Sequence, residues 1–139
     1  MRREVKKHII QMTEKEVHII KKKLKGLSIT NLINNIKNNK HLQQRLMEKR
    51  IGIAENKLNI LIHSDSTIDT NIIEYKRVYS RRGVDERVVL RTGHDKSYDM
   101  VLVVSLNNNR IITAWKNRKK DNHSTLDLNE YKEDLKILA

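Results

Sequence analysis

Cysteine, proline and phenylalanine are all absent from this chain of 139 residues, and glycine occurs only four times. Without cysteine there are no disulfides, thiol nucleophiles or cysteine zinc sites. Without proline nothing breaks an element rigidly. Without phenylalanine the core falls to Ile, Leu and Val, in a chain whose apolar fraction is a modest 37%. No long apolar run opens the sequence, so the expectation is no signal peptide, no membrane span and a cytoplasmic protein. The length suits one domain, or one domain with an extension. The abundance of Lys, Asn and Ile points to an AT-rich coding sequence, as in low-GC bacteria and their mobile elements.

What is present in excess is positive charge, and it is unevenly spread. Residues 1–50 hold 14 Lys and Arg against 4 Asp and Glu, a net +10; residues 51–139 hold 15 against 13, a net +2. A basic surplus on one segment is the electrostatic footprint of polyanion binding, which is salt-dependent because each phosphate contact releases counterions. The same surplus also reads as a solvated helical face. RNA is the expected partner, with DNA as the alternative.

The first forty residues read as helical. Thr13 and Glu16 form a capping box. Behind it Val17, Ile20, Leu24 and Leu27 recur at helical spacing, Lys21, Lys22 and Lys23 take the outer side, and Gly26 suits a left-handed C-cap. A second helix covers Thr30 to Asn39, and a soft boundary near residue 40 separates a basic helical extension, 1–40, from the domain at 41–139. In HLQQRLMEKR, His41 and Arg45 share one face while Leu42, Leu46 and Met47 form the other. A further helix runs from Ala54 to Ile62.

From Ile72 the period changes to two. IIEYKRV, ERVVLRTG, MVLVVSL and RIITAWKN read as four strands of an antiparallel meander, with VLVVS central because it is apolar on both faces. Asn107, Asn108 and Asn109 tolerate positive φ and close the last hairpin. Asp127 with Glu130 forms a capping box opening a C-terminal helix over Leu128, Tyr131, Leu135 and Leu138. The expected fold class is therefore α+β: N-terminal helices packed on a four-stranded antiparallel meander sheet, closed by a C-terminal helix.

Familiar catalytic signatures are missing. The sequence has no Gly-rich phosphate loop, no HExxH and no Ser-centred nucleophile elbow. The six histidines show no zinc-ligand spacing, and Asp95 with Asp99 lacks a third carboxylate. No metal and no cofactor are expected.

The order of elements, with HLQQR and a later Arg ahead of IIEYK, RVVLR, VLVVS and IITAW, resembles the barnase–EndoU–colicin–RelE group of small metal-independent ribonucleases. More narrowly, it is similar to short uncharacterised members found in phages and bacterial mobile elements. The resemblance spans residues 41 to about 125. It matches His41 and Arg45 to the family's helix motif, Arg50 to its second arginine, and Thr113, Trp115 and Asn117 to its last strand. Here Ile51 stands between Arg50 and Gly52, where the family pattern places Gly after Arg. Residues 1–40 have no counterpart in it.

The resemblance implies a toxin-like endoribonuclease in which the RNA 2′-hydroxyl attacks the adjacent phosphate. His41 or His123 would be base and acid, because histidine titrates near working pH. Arg45 would neutralise the phosphorane and Thr113 would hold a phosphate oxygen. Arg50, Arg91 and Lys116 would bind phosphate, and Trp115 or Tyr75 would stack a base. Each has a plainer reading: Arg91 pairing across strands with Glu74 or Glu86, Trp115 in the core, Thr113 as a strand former, and Lys119 and Lys120 as a solvated loop. The alternative function is a non-catalytic phage-type regulator that holds nucleic acid or a host protein through the same fold. An antitoxin is the partner the ribonuclease reading implies.

Overall fold

In the structure, a computed structural model, residues 3–48, 55–63, 71–93, 95–120 and 130–137 are described. The chain is α+β. β1 (Arg3–His8) and a short 3₁₀ turn lead into α1 (Glu14–Lys25), α2 (Ile29–Asn38), α3 (Lys40–Glu48) and α4 (Glu55–His63). Then follow β2 (Ile72–Ser80), β3 (Gly83–Gly93), β4 (Tyr98–Ser105) and β5 (Arg110–Arg118). The five strands form one antiparallel sheet in the order β1-β2-β3-β4-β5.

The fifth strand corrects the expected count of four. β1 lies within the stretch read as helical and pairs with β2 from Arg3↔Tyr79 to His8↔Glu74. Its sequence, REVKKH, hides the alternation because its inward residue Lys7 is charged. Lys7 is 5% exposed, and its ammonium donates to both Glu16 carboxylate oxygens (3.0 and 2.9 Å) and to the Leu135 carbonyl (3.1 Å). A buried lysine is tolerable only when its donors are satisfied in this way.

The Thr13–Glu16 capping box forms as expected, each residue's backbone N–H bonding the other's side chain. Ile20, Leu24 and Leu27 are buried. Gly26, read as a left-handed cap, is right-handed at φ −76°. α2 starts one residue early because Ser28 caps it. Lys22 faces solvent, but Lys23 does not sit on the outer side; it turns inward to Glu86.

One core lies between the helix layer and the sheet. Ile20, Leu24, Leu32, Leu42, Leu46 and Leu58 meet Tyr75, Val88, Leu90, Met100, Leu102 and Ile111 there. Helices on both sides of residue 40 contribute to it. On the opposite face a smaller cluster joins Val89, Val101 and Val103, with Ile73, Ile112 and Trp115 packed against it. β4 is buried from Met100 to Ser105, as its apolar run suggested, although β3 is the middle strand. Gly83, at φ +111°, and Asn109, at φ 51°, close the two hairpins at one end of the sheet.

Residues 130–137 contain no α-helix, only a 3₁₀ residue at Glu130, which corrects the expected C-terminal helix over its described part; Asp127 and Leu128 lie outside the described residues. The reason is competition for backbone groups. The Lys132 N–H donates to the Lys6 carbonyl (2.8 Å), while the Leu135 and Lys136 carbonyls accept from Lys7 and Arg77. Tyr131 packs beside β1 on the sheet face away from the helices, and Leu135 and Ile137 enter the main core. The segment therefore wraps the β1 edge and covers a template for unwanted strand pairing. Among the described residues no helix is long and apolar enough to cross a membrane.

Candidate nucleic-acid interface

Strand register sets which side chains share a face, because partners across an antiparallel pair point the same way. Following the register from edge to edge gives a transverse row of Lys6, Lys76, Arg87, Ser105 and Arg110. Four of the five are cations, spread over about 19 Å of sheet at the usual strand spacing. The row lies on the face of Val89 and Val103, opposite the helices.

Like charges directly opposite one another destabilise a sheet. Here the repulsion is offset locally. Lys6 lies 4.6 Å over the Tyr131 ring and 3.9 Å from Glu130. Lys76 is 3.7 Å from Glu4, and Arg87 donates to Asp85 at 2.7 Å. Asp85 also accepts from Ser105 Oγ at 2.6 Å. The guanidinium of Arg87 is thus held in place by a carboxylate that is itself held.

The row ends in a cleft of about 570 Å³ at the hairpin end of the sheet, lined in part by Arg82, Arg87, Arg110, Asn107 and Asn108. Three guanidinium groups beside two amides offer planar, forked donors suited to phosphate oxygens. The walls are braced: Asn107 Oδ1 accepts the Glu86 N–H, Asn108 Nδ2 reaches Ser105 Oγ, and Asn109 exchanges hydrogen bonds with the Ser28 backbone. That last pair brings the C-terminal end of α1 to the same end of the sheet. On α1, Lys15, His18, Lys22 and Lys25 are exposed at spacings that place them along one stripe.

On the row's other side, His8 stands directly opposite Glu74. Both are buried. The His8 Nδ1 accepts the Ile10 N–H (3.2 Å), and the Tyr131 ring meets the imidazole edge-on at 5.2 Å.

The residues expected from the sequence separate. His41 is exposed on α3, whose Leu42 and Leu46 enter the helix-side core. Thr113 pairs with Val103 on the other face, so the sheet stands between their side chains. Trp115 packs on Val89, Val101 and Val103. Arg91 shares that face but pairs with neither Glu74 nor Glu86; it donates to Asp99 (2.7 Å) and to the Arg118 carbonyl (3.0 Å). Lys116 lies 5.2 Å over the Tyr98 ring at the far end of β5. Arg45 is on α3, but its side chain, together with Arg50 and His123, lies outside the described residues. So Arg91, Thr113 and Trp115 share one face, while His41 and Lys116 do not join them.

Lys6, His8, Glu74, Lys76, Arg82, Arg87 and Arg110 were missed in the sequence. One signal was available. Lys76 and Arg87 occupy matching outward positions of adjacent alternating runs, so a two-residue hairpin at Arg81-Arg82 would have paired them. Among the described residues no group of three His, Asp or Glu is placed to hold a metal ion. No protein-family model, no curated protein and no solved structure matches the chain.

Proposed function

We propose that this chain binds RNA through the sheet face carrying Lys6, Lys76, Arg87 and Arg110 and through the arginine cleft that ends the row. The carrying observation is the row itself, four cations in register across a five-stranded sheet, leading into a braced cleft with three arginines. A phosphate backbone laid along it would supply stronger counter-charges than the long contacts of Lys6 to Glu130 (3.9 Å) and of Lys76 to Glu4 (3.7 Å). Single-stranded RNA suits the surface better than duplex. The face is a pleated sheet, and among the described residues no helix lies along the row to enter a groove. The test is fluorescence anisotropy of a short single-stranded RNA over a salt series. Wild-type affinity should fall steeply with salt, and Arg82→Gln with Arg110→Gln should weaken binding and flatten the slope. Salt-insensitive binding, or an unchanged slope in the double variant, overturns the reading.

A second reading is a metal-independent endoribonuclease that uses the 2′-hydroxyl as nucleophile. It is favoured by one observation: His8 stands opposite Glu74, two register steps from the Lys6–Lys76 pair and on the same face, so a proton-handling couple adjoins the cations proposed to bind phosphate. The edge-on Tyr131 covers His8, so substrate would reach it by displacing the C-terminal segment. Incubation with total RNA in EDTA decides this. Cyclic phosphate ends that disappear in His8→Ala, and persist in His41→Ala, support it; intact RNA ends it.

A further inference from the structure

We propose that the cleft at the opposite end of the sheet, between the β3–β4 turn and the end of β5, binds a nucleoside phosphate. This cleft of about 400 Å³ is lined by Lys96, Ser97, Tyr98, Arg118, Lys119 and Lys120. Its size falls within the range of small-ligand sites. Four of the six lining residues are cations, and none is acidic.

The neighbouring acids are occupied in building its walls. Asp95 Oδ1 accepts the Ser97 and Tyr98 N–H groups, both at 2.8 Å, and so shapes the turn. Asp99 accepts from Lys119 at 2.8 Å and from Arg91 at 2.7 Å. The two cations hold the Asp99 carboxyl ionised below its ordinary range against the opposing effect of burial, so this brace persists at neutral pH. The two sides are also tied by backbone: the Lys119 N–H donates to the Ser97 carbonyl at 3.0 Å. Lys96, Arg118 and Lys120 are exposed around this fixed frame. The cleft is therefore preorganised, with its surplus charge facing solvent.

The cations argue for phosphate, and Tyr98 argues for what is attached to it. Lys116 lies over one side of the Tyr98 ring at 5.2 Å. The tyrosine belongs to the lining of the cleft, where an aromatic surface beside ammonium groups suits a base linked to a phosphate. The site is separate from the arginine cleft. β4 runs between them, and eight residues of strand span about 25 Å.

The test titrates full-length protein with ADP and with inorganic pyrophosphate at low salt, following backbone amides by NMR. Both probes should bind saturably, with shifts concentrated at residues 96–98 and 118–120. Lys96→Ala with Lys120→Ala, both exposed and so harmless to the fold, should weaken both probes by about tenfold or more, the loss expected when charge-assisted contacts are removed. Tyr98→Leu should weaken ADP and spare pyrophosphate. Shifts confined to residues 80–84 and 107–110, a response that stays linear into the millimolar range, or a charge variant that binds as wild type would each overturn the site. Equal loss of both probes in Tyr98→Leu would overturn the nucleoside part.

Discussion

Lys23 reaches from the last turn of α1 to Glu86 on β3, its ammonium 3.0 and 2.8 Å from the two carboxylate oxygens. The Tyr75 hydroxyl donates to the same carboxylate from β2, so one acid ties a helix to two strands. The Glu86 side chain is 10% exposed. Removing its partner strands a desolvated charge, which costs more than the pair gains. Lys23→Met should lower stability by about 2 kcal/mol and Tyr75→Phe by about 1–2 kcal/mol, because a hydrogen bond to an ionised group is lost. Glu86→Gln in the Lys23→Met background should recover part of the loss. Urea unfolding of the single and double variants measures this; additive losses would mean the three groups do not act as a unit.

The same network predicts an alkaline limit. Burial first, and then the Glu86 hydrogen bond and charge, raise the Tyr75 hydroxyl far above its ordinary value of 10.0. A raised pKa stabilises the fold below the unfolded value, and the contribution is lost as pH rises above it, because the unfolded chain then releases a proton that the folded one retains. At the acid end the sign reverses. Glu16 is lowered from 4.5: burial pushes it up, but the Thr13 N–H and Lys7 together outweigh that. Asp99 is lowered from 3.8, where Lys119 and Arg91 outweigh burial. Both contributions are present above the unfolded values and fade as pH falls below them toward the folded ones. Thermal unfolding across pH should show Glu16→Gln and Asp99→Asn destabilised at neutral pH and converging on wild type in acid. Tyr75→Phe should lose the extra alkaline sensitivity.

The sequence was readable where one rule acts alone. Ile20, Leu24 and Leu27 repeat at helical spacing behind a complete capping box, β2, β3 and β5 alternate between turn residues, and β4 is a continuous apolar run; these elements formed as read. It was unreadable where tertiary partners overrule the local pattern. Lys7 looks like surface in REVKKH, yet Glu16 and Leu135 make it interior. The stretch around Tyr131 has helical spacing, but its backbone groups are taken by Lys6, Lys7 and Arg77. The candidate site followed the same division. Arg91, Trp115 and Thr113 stood out as residue types, and they do share a face. The cation row exists only through register between strands, one of which the sequence pattern concealed. The N-terminal net charge also overstated the surface, because Lys7 and Lys23 are used internally.

The C-terminal segment should act as a strap on β1. Lys132→Pro deletes the N–H that bonds the Lys6 carbonyl at 2.8 Å. The loss of one such bond should cost about 1 kcal/mol. Leu135→Ala, at the core end of the strap, should cost about 2–3 kcal/mol. Limited proteolysis should find the segment cleaved faster in both variants, and an uncovered β1 edge should raise self-association in concentration-dependent light scattering. Unchanged cleavage would show that the segment is held by other contacts.

Removing residues 1–40 cannot locate RNA affinity, because it deletes an edge strand and two helices of the core. Point variants separate the surfaces. Lys76→Gln with Arg110→Gln neutralises two cations of the row, while Lys15→Gln, Lys22→Gln and Lys25→Gln neutralise the exposed stripe of α1. Each phosphate contact to a single strand contributes about 0.7 to the slope of log affinity against log salt. The row variant should therefore flatten that slope by about 1.4, although it removes fewer charges than the stripe variant. The expectation rests on arrangement. The row converges on a cleft in which Asp85 holds Arg87 and the asparagines fix the surrounding turn, whereas Lys15 and Lys22 are long exposed side chains of α1 that must be ordered on binding, at an entropic cost. If the α1 variant loses more slope than the row variant, RNA lies on the helix layer and the sheet face is not its contact surface.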